Sequence, residues 1–549
     1  MSRARLALGG VAFVAVFAVI SARIVGFAVA DSERVSFRAL ADASTAASRP
    51  DITDRNGKVL ATDVVTPSLY AEPKKIIDVD EAVELLTAAM PNLDQEQLRT
   101  RLDSDRSFVW LKREVTPAQE ALIHDLGIPG VGFRREFRRV YPTAQAAAHI
   151  VGHVNVDNRG IAGIEKYLDD RGLADLHGLG FGLDSGMEAV DLSIDLRVQH
   201  ALRDELWFAQ EKFSALAAAG VVLDAKTGEV VAMVSLPDYD PNRPETSLDE
   251  DAINRLTTGV YEMGSTFKPF TVAMALDTGR ITMNDRYDAS RPLRVGRQTI
   301  NDYRGKNRVL SVPEIFIYSS NIGTARMALD VGMDEHQAFL ERLALSTRLR
   351  TELPESAPPM VPRKWKQVNA MTISFGHGIS VAPLQMAAAA APLVNGGLYH
   401  EPTFMPRTET EALESGRRVL RPQTSDAMRH LFRLNTTEGT ARKADRPGYR
   451  VGGKTGTAEK VVNGRYAKDK RLTSFLGTFP TDDPQFIVLV MLDEPKGIPE
   501  THGWATSGWN AAPTAGRVIE RIAPILGVLP RREDTAPEDA SEQPLFVSY

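Results

Sequence analysis

Tyr261-Glu262-Met263-Gly264-Ser265-Thr266-Phe267-Lys268-Pro269-Phe270 is the stretch on which the reading of this chain turns. A helix beginning near the serine places Ser265 and Lys268, three residues apart, on one face about a turn from each other. The lysine amine can then reach the hydroxyl. A helix N-terminus also aims free backbone N–H groups and a positive dipole end at whatever reacts there. Alone, S-x-x-K is a weak signal: chance supplies about one or two in a chain this long. Here it occurs once, and by itself it reads equally well as an ordinary surface helix start.

Two further groups give it company. Ser319-Ser320-Asn321 follows the apolar segment Glu314-Ile315-Phe316-Ile317-Tyr318. It suits a loop presenting a hydroxyl and an amide to a cleft, although serine and asparagine also serve as plain helix caps. Lys454-Thr455-Gly456-Thr457 follows Gly452-Gly453. On a strand, a lysine and two hydroxyls can bind a carboxylate, and the glycine admits close approach of another backbone. Lys226-Thr227-Gly228 has the same three letters, but with Asp224 before it and Glu229 after it it reads as a structural hairpin turn.

Working outward, a helical pattern starts near Ser193 and runs through Leu202, Leu206 and Phe213. Strand-like runs follow at Ala217 to Leu223 and Val230 to Ser235, joined by the turn Asp224 to Gly228. A long, mostly helical and irregular region comes next. Strand signals return at Lys454 to Lys460, Ser474 to Phe479 and Phe486 to Leu492. A sheet begun by one hairpin and finished much later, with helices between, is an α+β layout. Upstream, Arg49 to Lys58 offers a strand and a tight turn at Asn56-Gly57. Residues 49–190 mix short strands with helical stretches such as Asp80 to Ala89. They hold no nucleophile-and-base constellation and read as a non-catalytic pedestal. The expected domains are therefore an anchor over 1–30, a linker over 31–48, the pedestal over 49–190, a catalytic domain over 191–530 and a disordered acidic tail over 531–549.

The anchor rests on Arg3 and Arg5 before an uncharged run from Leu6 to Ala22, then Arg23 and the apolar Ile24 to Ala30. A spanning helix needs ~20 largely apolar residues, and Arg23 could snorkel to an interface. The two leading arginines favour a cytoplasmic N-terminus and an exported remainder. Ala28-Val29-Ala30 resembles a signal cleavage site, but the length of the run and the position of Arg23 favour an uncleaved anchor.

Composition closes off other chemistries. The 549 residues carry a net charge of −6 and no cysteine. Thiolate metal sites, catalytic cysteine and disulfides are excluded. There is no basic footprint for nucleic acid. No HExxH is present, and no metal or organic cofactor is expected.

The order of the groups decides what their separate occurrence does not. Ser265/Lys268, then Ser319/Asn321, then Lys454/Thr455/Gly456 resembles the S-x-x-K, S-x-N and K-[TS]-G series of the penicillin-binding and serine β-lactamase superfamily. Arg49-Pro50-Asp51-Ile52-Thr53-Asp54-Arg55-Asn56-Gly57 looks like the opening of class B penicillin-binding proteins, with Pro50 in place of the usual glycine. Arg139-Val140-Tyr141-Pro142, Ala148 to Gly152 and Gly160 to Glu165 are similar to the same family's pedestal. Phe375-Gly376-His377-Gly378 through Gln385 is similar to its G-x-G-x-x-V-T-P-L-Q segment. Ala382 stands there where threonine is usual, and His377 reads as a wall residue rather than a base. The single anchor and moderate length are most similar to the division-specific (FtsI-type) branch, with the elongation-specific branch as runner-up.

The resemblance implies a serine D,D-transpeptidase in the periplasm, held in the inner membrane, that cross-links peptidoglycan stem peptides and is acylated by β-lactams. A serine hydroxyl needs a base, and lysine, with a reference pKa of about 10.4, serves only when burial and a second cation remove several units. The resemblance assigns Lys268 as that neutral base and Lys454 as the cation. Ser265 is the nucleophile, Ser319 the proton relay and Asn321 the peptide clamp. Thr455 and Thr457 would bind the terminal carboxylate beside Gly456. A lipid-II polymerase (FtsW-like) and other divisome membrane proteins are the implied partners. A β-lactamase would need neither pedestal nor anchor. A non-catalytic β-lactam sensor or divisome scaffold would tolerate loss of Ser319 or Lys454.

Overall fold

The computed structural model describes residues 48–172, 187–295, 298–462 and 464–531. The expected anchor, linker and acidic tail lie outside these residues, apart from Ser48 and Arg531. Among the described residues no helix is long and apolar enough to cross a membrane. The chain forms two compact units: residues 64–138, and residues 49–63 together with everything from 139 onward. The segment expected as one pedestal over 49–190 is thus divided between them.

In the smaller unit, helices Val79–Ala89, Gln95–Leu102 and Pro117–Asp125 are stopped and started by local chemistry. Asp78 and Asp94 each accept an N–H of the first turn, and Thr116 and Gln119 form a capping box, which satisfies donors that have no partner inside the helix. Val83, Leu86, Leu98, Leu102, Leu111 and Ile123 make its core. Asp80 to Ala89 is helical as the sequence indicated.

The larger unit is built on one antiparallel sheet in the order Gly452–Val462, Arg465–Phe479, Phe486–Asp493, Ala217–Asp224, Val230–Leu236. The three late strands thus join the first hairpin through the last of them, Phe486–Asp493, which pairs with Ala217–Asp224, as the α+β reading requires. Side chains alternate between the two faces of each strand. Val222, Val488 and Val490 pack with Leu202, Leu206 and Ile519 of helices Leu196–Lys212 and Ala511–Ile525. Val221, Leu223, Leu489 and Met491 face the other way, into a core with Phe267, Phe270, Phe316 and Leu384. Both faces are covered, so these strands read as continuous apolar runs rather than alternating ones. The turn at Lys226-Thr227-Gly228 is structural: Asp224 Oδ1 accepts from the N–H groups of Lys226 (2.8 Å) and Thr227 (2.9 Å), and Gly228 takes a φ of +75°.

Candidate active site

The Ser265 stretch folds as a single-turn 3₁₀ helix, Gly264–Phe267, running straight into the α-helix Lys268–Asp277. Pro269 sits in the first turn of that helix, where a missing N–H costs nothing. Gly264, at φ +55°, makes the bend, and its backbone is crowded on two sides. A Cβ on Gly456 would come within 2.7 Å of the Met263 carbonyl, and one on Gly376 within 2.2 Å of the Gly264 carbonyl. The close approach foreseen for Gly456 is therefore an approach of the serine turn itself. Ser265 is half-buried at the head of this turn.

Ser319 ends the helix Val312–Tyr318 in the left-handed conformation, φ 58° and ψ 44°. The N–H of Ser320 reaches back to the Ile315 carbonyl and that of Ser319 to Phe316. This is the bonding of a glycine-type helix stop, made here with a serine, and a non-glycine residue in this region costs of order 1–2 kcal/mol. Ser320 then caps the next helix, Asn321–Val331, by accepting from Gly323 N–H. Asn321 Nδ2 donates to the Asn301 carbonyl at 3.0 Å.

Lys454, Thr455, Gly456 and Thr457 lie on the edge strand Gly452–Val462, whose backbone is steadied by Asn435 Nδ2 donating to the Gly453 carbonyl at 2.7 Å. Thr455 Oγ1 donates to Thr440 Oγ1 at 2.7 Å. Thr457 Oγ1 accepts from the Ser507 N–H at 3.1 Å.

The three sequence groups converge on one atom. Ser319 Oγ accepts a hydrogen bond from Lys268 Nζ at 3.0 Å and another from Lys454 Nζ at 3.0 Å. Lys268 Nζ also donates to the Ser319 carbonyl at 2.5 Å, and Lys454 Nζ to the Thr455 carbonyl at 3.2 Å. The reach of Lys268 was expected toward Ser265; the amine is instead bonded to Ser319, whose carbonyl and hydroxyl both face it. Both lysines are buried, at 1% and 0% exposure. Burial disfavours the charged form of an amine. It holds Lys454 down at about 7. Lys268 is driven well below the usual lysine range by burial first and by the Lys454 charge second, with Asp302 acting in the opposite direction.

His377 is a wall residue in geometry: its ring lies 5.4 Å from that of Phe375 and 5.5 Å from that of Tyr466. Burial pushes its basicity down. Sequence reasoning passed over Glu262, Asp302, Thr440 and Ser507. Glu262 accepts from Tyr466 Oη at 3.0 Å and from Gly378 N–H at 2.8 Å, tying the wall to the serine turn. Nothing in the spacing of these residues announces the contacts. A polar Asn301-Asp302 pair directly after Thr299-Ile300 was the one available hint.

Comparison with known proteins agrees with this geometry. Residues 218–520 match the penicillin binding protein transpeptidase domain, and residues 44–172 the penicillin-binding protein dimerisation domain. A Caulobacter vibrioides protein named probable peptidoglycan D,D-transpeptidase FtsI is 43% identical, over 88% of this chain and 82% of its own length. The peptidoglycan D,D-transpeptidase FtsI of Escherichia coli K12 is 30% identical, over 90% of this chain and 86% of that one. The crystal structure of penicillin binding protein 3 from Mycobacterium tuberculosis, complexed with aztreonam, shares the fold with a TM-score of 0.68 at 22% identity, covering 89% of this chain and 98% of that one. With a dimerisation domain ahead of a transpeptidase domain, the chain belongs to the class B penicillin-binding proteins.

Proposed function

We propose that this protein is a peptidoglycan D,D-transpeptidase acting through an acyl-enzyme on Ser265. The observation that carries the reading is the Ser319 hydroxyl held by Lys268 and Lys454 at 3.0 Å each. A neutral Lys268 amine has two N–H groups, and Ser319 O and Oγ accept both. Its lone pair is left for the proton of Ser265. A hydroxyl has two lone pairs and one proton. With the lone pairs of Ser319 facing the two amines, its proton is free to go to the departing D-alanine.

In this scheme Ser265 attacks the carbonyl between the terminal D-alanines of a donor stem peptide. Backbone N–H groups of Ser265 and Thr457 stabilise the oxyanion, each worth ~3 kcal/mol. Thr455 and Thr457 bind the terminal carboxylate beside Lys454, and Asn321 fixes the donor backbone. The edge strand Gly452–Val462 pairs with the peptide as an added strand. The amine of a second stem peptide then attacks the acyl-enzyme, and water in its place gives carboxypeptidase activity. A β-lactam acylates Ser265 and stays, because its leaving amine remains tethered.

The arginine-led apolar N-terminus supports a single-pass anchor in the cytoplasmic membrane with the catalytic unit in the periplasm. The likeness to the FtsI proteins supports a place at the division septum beside an FtsW-like lipid-II polymerase. The test is intact-protein mass after incubation with a fluorescent penicillin. A stable one-to-one adduct that Ser265→Ala abolishes is the expected result. An adduct that persists in the variant overturns the nucleophile. Absence of any adduct favours a scaffold, and an adduct that is rapidly lost favours a β-lactamase.

A further inference from the structure

Ser319 occupies a backbone conformation that serine does not favour, at the one point where two lysines meet. Its own helix ending supplies two backbone bonds, Ser319 N–H to Phe316 and Ser320 N–H to Ile315, but these leave the residues after Ser319 to be fixed by other contacts. The brace comes from the loop before it. Asp302 Oδ2 accepts from Ser320 Oγ at 2.7 Å, and Asp302 Oδ1 accepts from the Ile322 N–H at 2.9 Å. The neighbouring Asn301 carbonyl accepts from Asn321 Nδ2 at 3.0 Å. The residues on the C-terminal side of Ser319 are therefore pinned at three points by Asn301 and Asp302. The loop is itself tied down two residues on, where the Arg304 guanidinium lies 4.5 Å from the centre of the Trp504 ring.

We propose that Asp302 is a positioning residue for the acylation step: it fixes the Ser319 turn between Lys268 and Lys454. The inference rests on the transpeptidase reading above, since only there does the placing of Ser319 matter to a rate. Bidentate acceptance by one carboxylate sets both position and tilt of the turn. A misplacement of ~1 Å at such a site costs about a hundredfold in rate. The charged and titratable groups around Lys268 are Lys454 and Asp302, with His377 nearby. Asp302 is the one of these that favours the protonated amine. Its removal therefore lowers the pH at which Lys268 becomes an active base.

The experiment is the second-order rate of acylation by a fluorescent penicillin against pH, on the full chain, for wild type, Asp302→Ala and Asp302→Asn. Asp302→Ala is expected to acylate about a hundredfold more slowly. Asp302→Asn keeps an acceptor for Ile322 N–H and is expected to recover much of that rate, with the acid limb of its profile displaced to lower pH. A purely structural residue would change the rate and leave the limb in place. If Asp302→Ala fails to fold, judged by its melting curve, the Asp302→Asn profile decides alone: an unmoved limb overturns the proposal. Wild-type rate and profile in both variants also overturn it. A wild type that forms no adduct on Ser265 refutes the transpeptidase reading instead, so the two failures are distinct.

Discussion

The Arg49 cluster and the Lys268–Lys454 pair are both buried groups of charge in the larger unit, and they are built in opposite ways. Arg49 Nε donates to Glu165 Oε2 at 2.8 Å and Arg139 Nε to Glu165 Oε1 at 2.6 Å. Arg49 also meets Asp169 at 2.7 Å and Arg139 meets Asp63 at 3.2 Å. Remaining guanidinium N–H groups go to the carbonyls of Asn158, Glu165 and Pro50. Although burial opposes the charge on Arg139, Glu165 and Asp63 overcome it and raise its basicity. Asp63 and Arg139 are also the residues at which the chain leaves this unit and returns to it. The lysine pair has no such balance. Two amines share one hydroxyl, and both are held below their ordinary range. A balanced cluster keeps its charges and locks the chain. An unbalanced one gives up a charge, and that is what a base at neutral pH requires.

The contrast can be broken most directly at Glu165. Glu165→Ala leaves two buried guanidinium groups without their shared partner. Removing one member of such a buried pair costs about 3–5 kcal/mol. A loss of unfolding free energy of that size, with a lowered melting temperature, is expected, and acylation by penicillin is retained in whatever fraction stays folded. A variant as stable as wild type would show that the cluster contributes nothing to holding these segments together.

The lysines are expected to respond with the other sign. Lys454→Met and Lys268→Met remove an amine whose burial is already unfavourable. Replacing buried charge by an apolar chain of similar volume is often neutral or stabilising by about 1–4 kcal/mol. Melting temperatures should hold or rise, while acylation falls in both, by about 10²–10⁴-fold for Lys268→Met, the usual share of a general base. Loss of stability on the scale of Glu165→Ala would erase the distinction between the two clusters.

A finer measurement sharpens it. Burial pushes Lys454 down to about 7 in the folded protein, against 10.5 for an ordinary lysine. Between those two pH values the unfolded chain holds a proton that the folded one has released, so stability rises with pH across that window. Below about 7 both states are protonated and the slope from this group vanishes. Thermal unfolding of wild type should gain stability from pH 7 upward relative to Lys454→Met, and parallel curves would refute the assignment.

What the sequence made legible follows from how local each signal is. The sheet strands announce themselves because both of their faces are buried. The order of the three site groups was readable because each is a short contiguous string. The left-handed Ser319, the brace from Asp302 and the Thr440 partner of Thr455 were not readable. The Asp302 and Thr440 contacts cross at least fifteen residues and are decided by packing, and the left-handed stop at Ser319 is made with a serine where the sequence signal for such a stop is glycine. The Arg49 cluster was visible only as a resemblance. Its members are scattered from residue 49 to residue 169, and nothing in their spacing says that they meet.

The smallest effect is expected where the sequence offered a duplicate. Lys226-Thr227-Gly228 and Lys454-Thr455-Gly456 share their letters, but their lysines have different surroundings. Lys226 is exposed, with its amine 3.9 Å from Asp483, whereas Lys454 is fully buried against Ser319. An exposed ion pair of that length contributes at most a few tenths of a kcal/mol. Lys226→Ala should therefore change stability by no more than about 0.5 kcal/mol and leave the acylation rate untouched. The glycines differ in the same way. Gly228 is needed for its φ of +75°, and Gly456 for the space it leaves to the Met263 carbonyl. A Lys226→Ala variant that slowed acylation would mean that the hairpin turn takes part in the chemistry, and the separation of the two motifs by burial would fail.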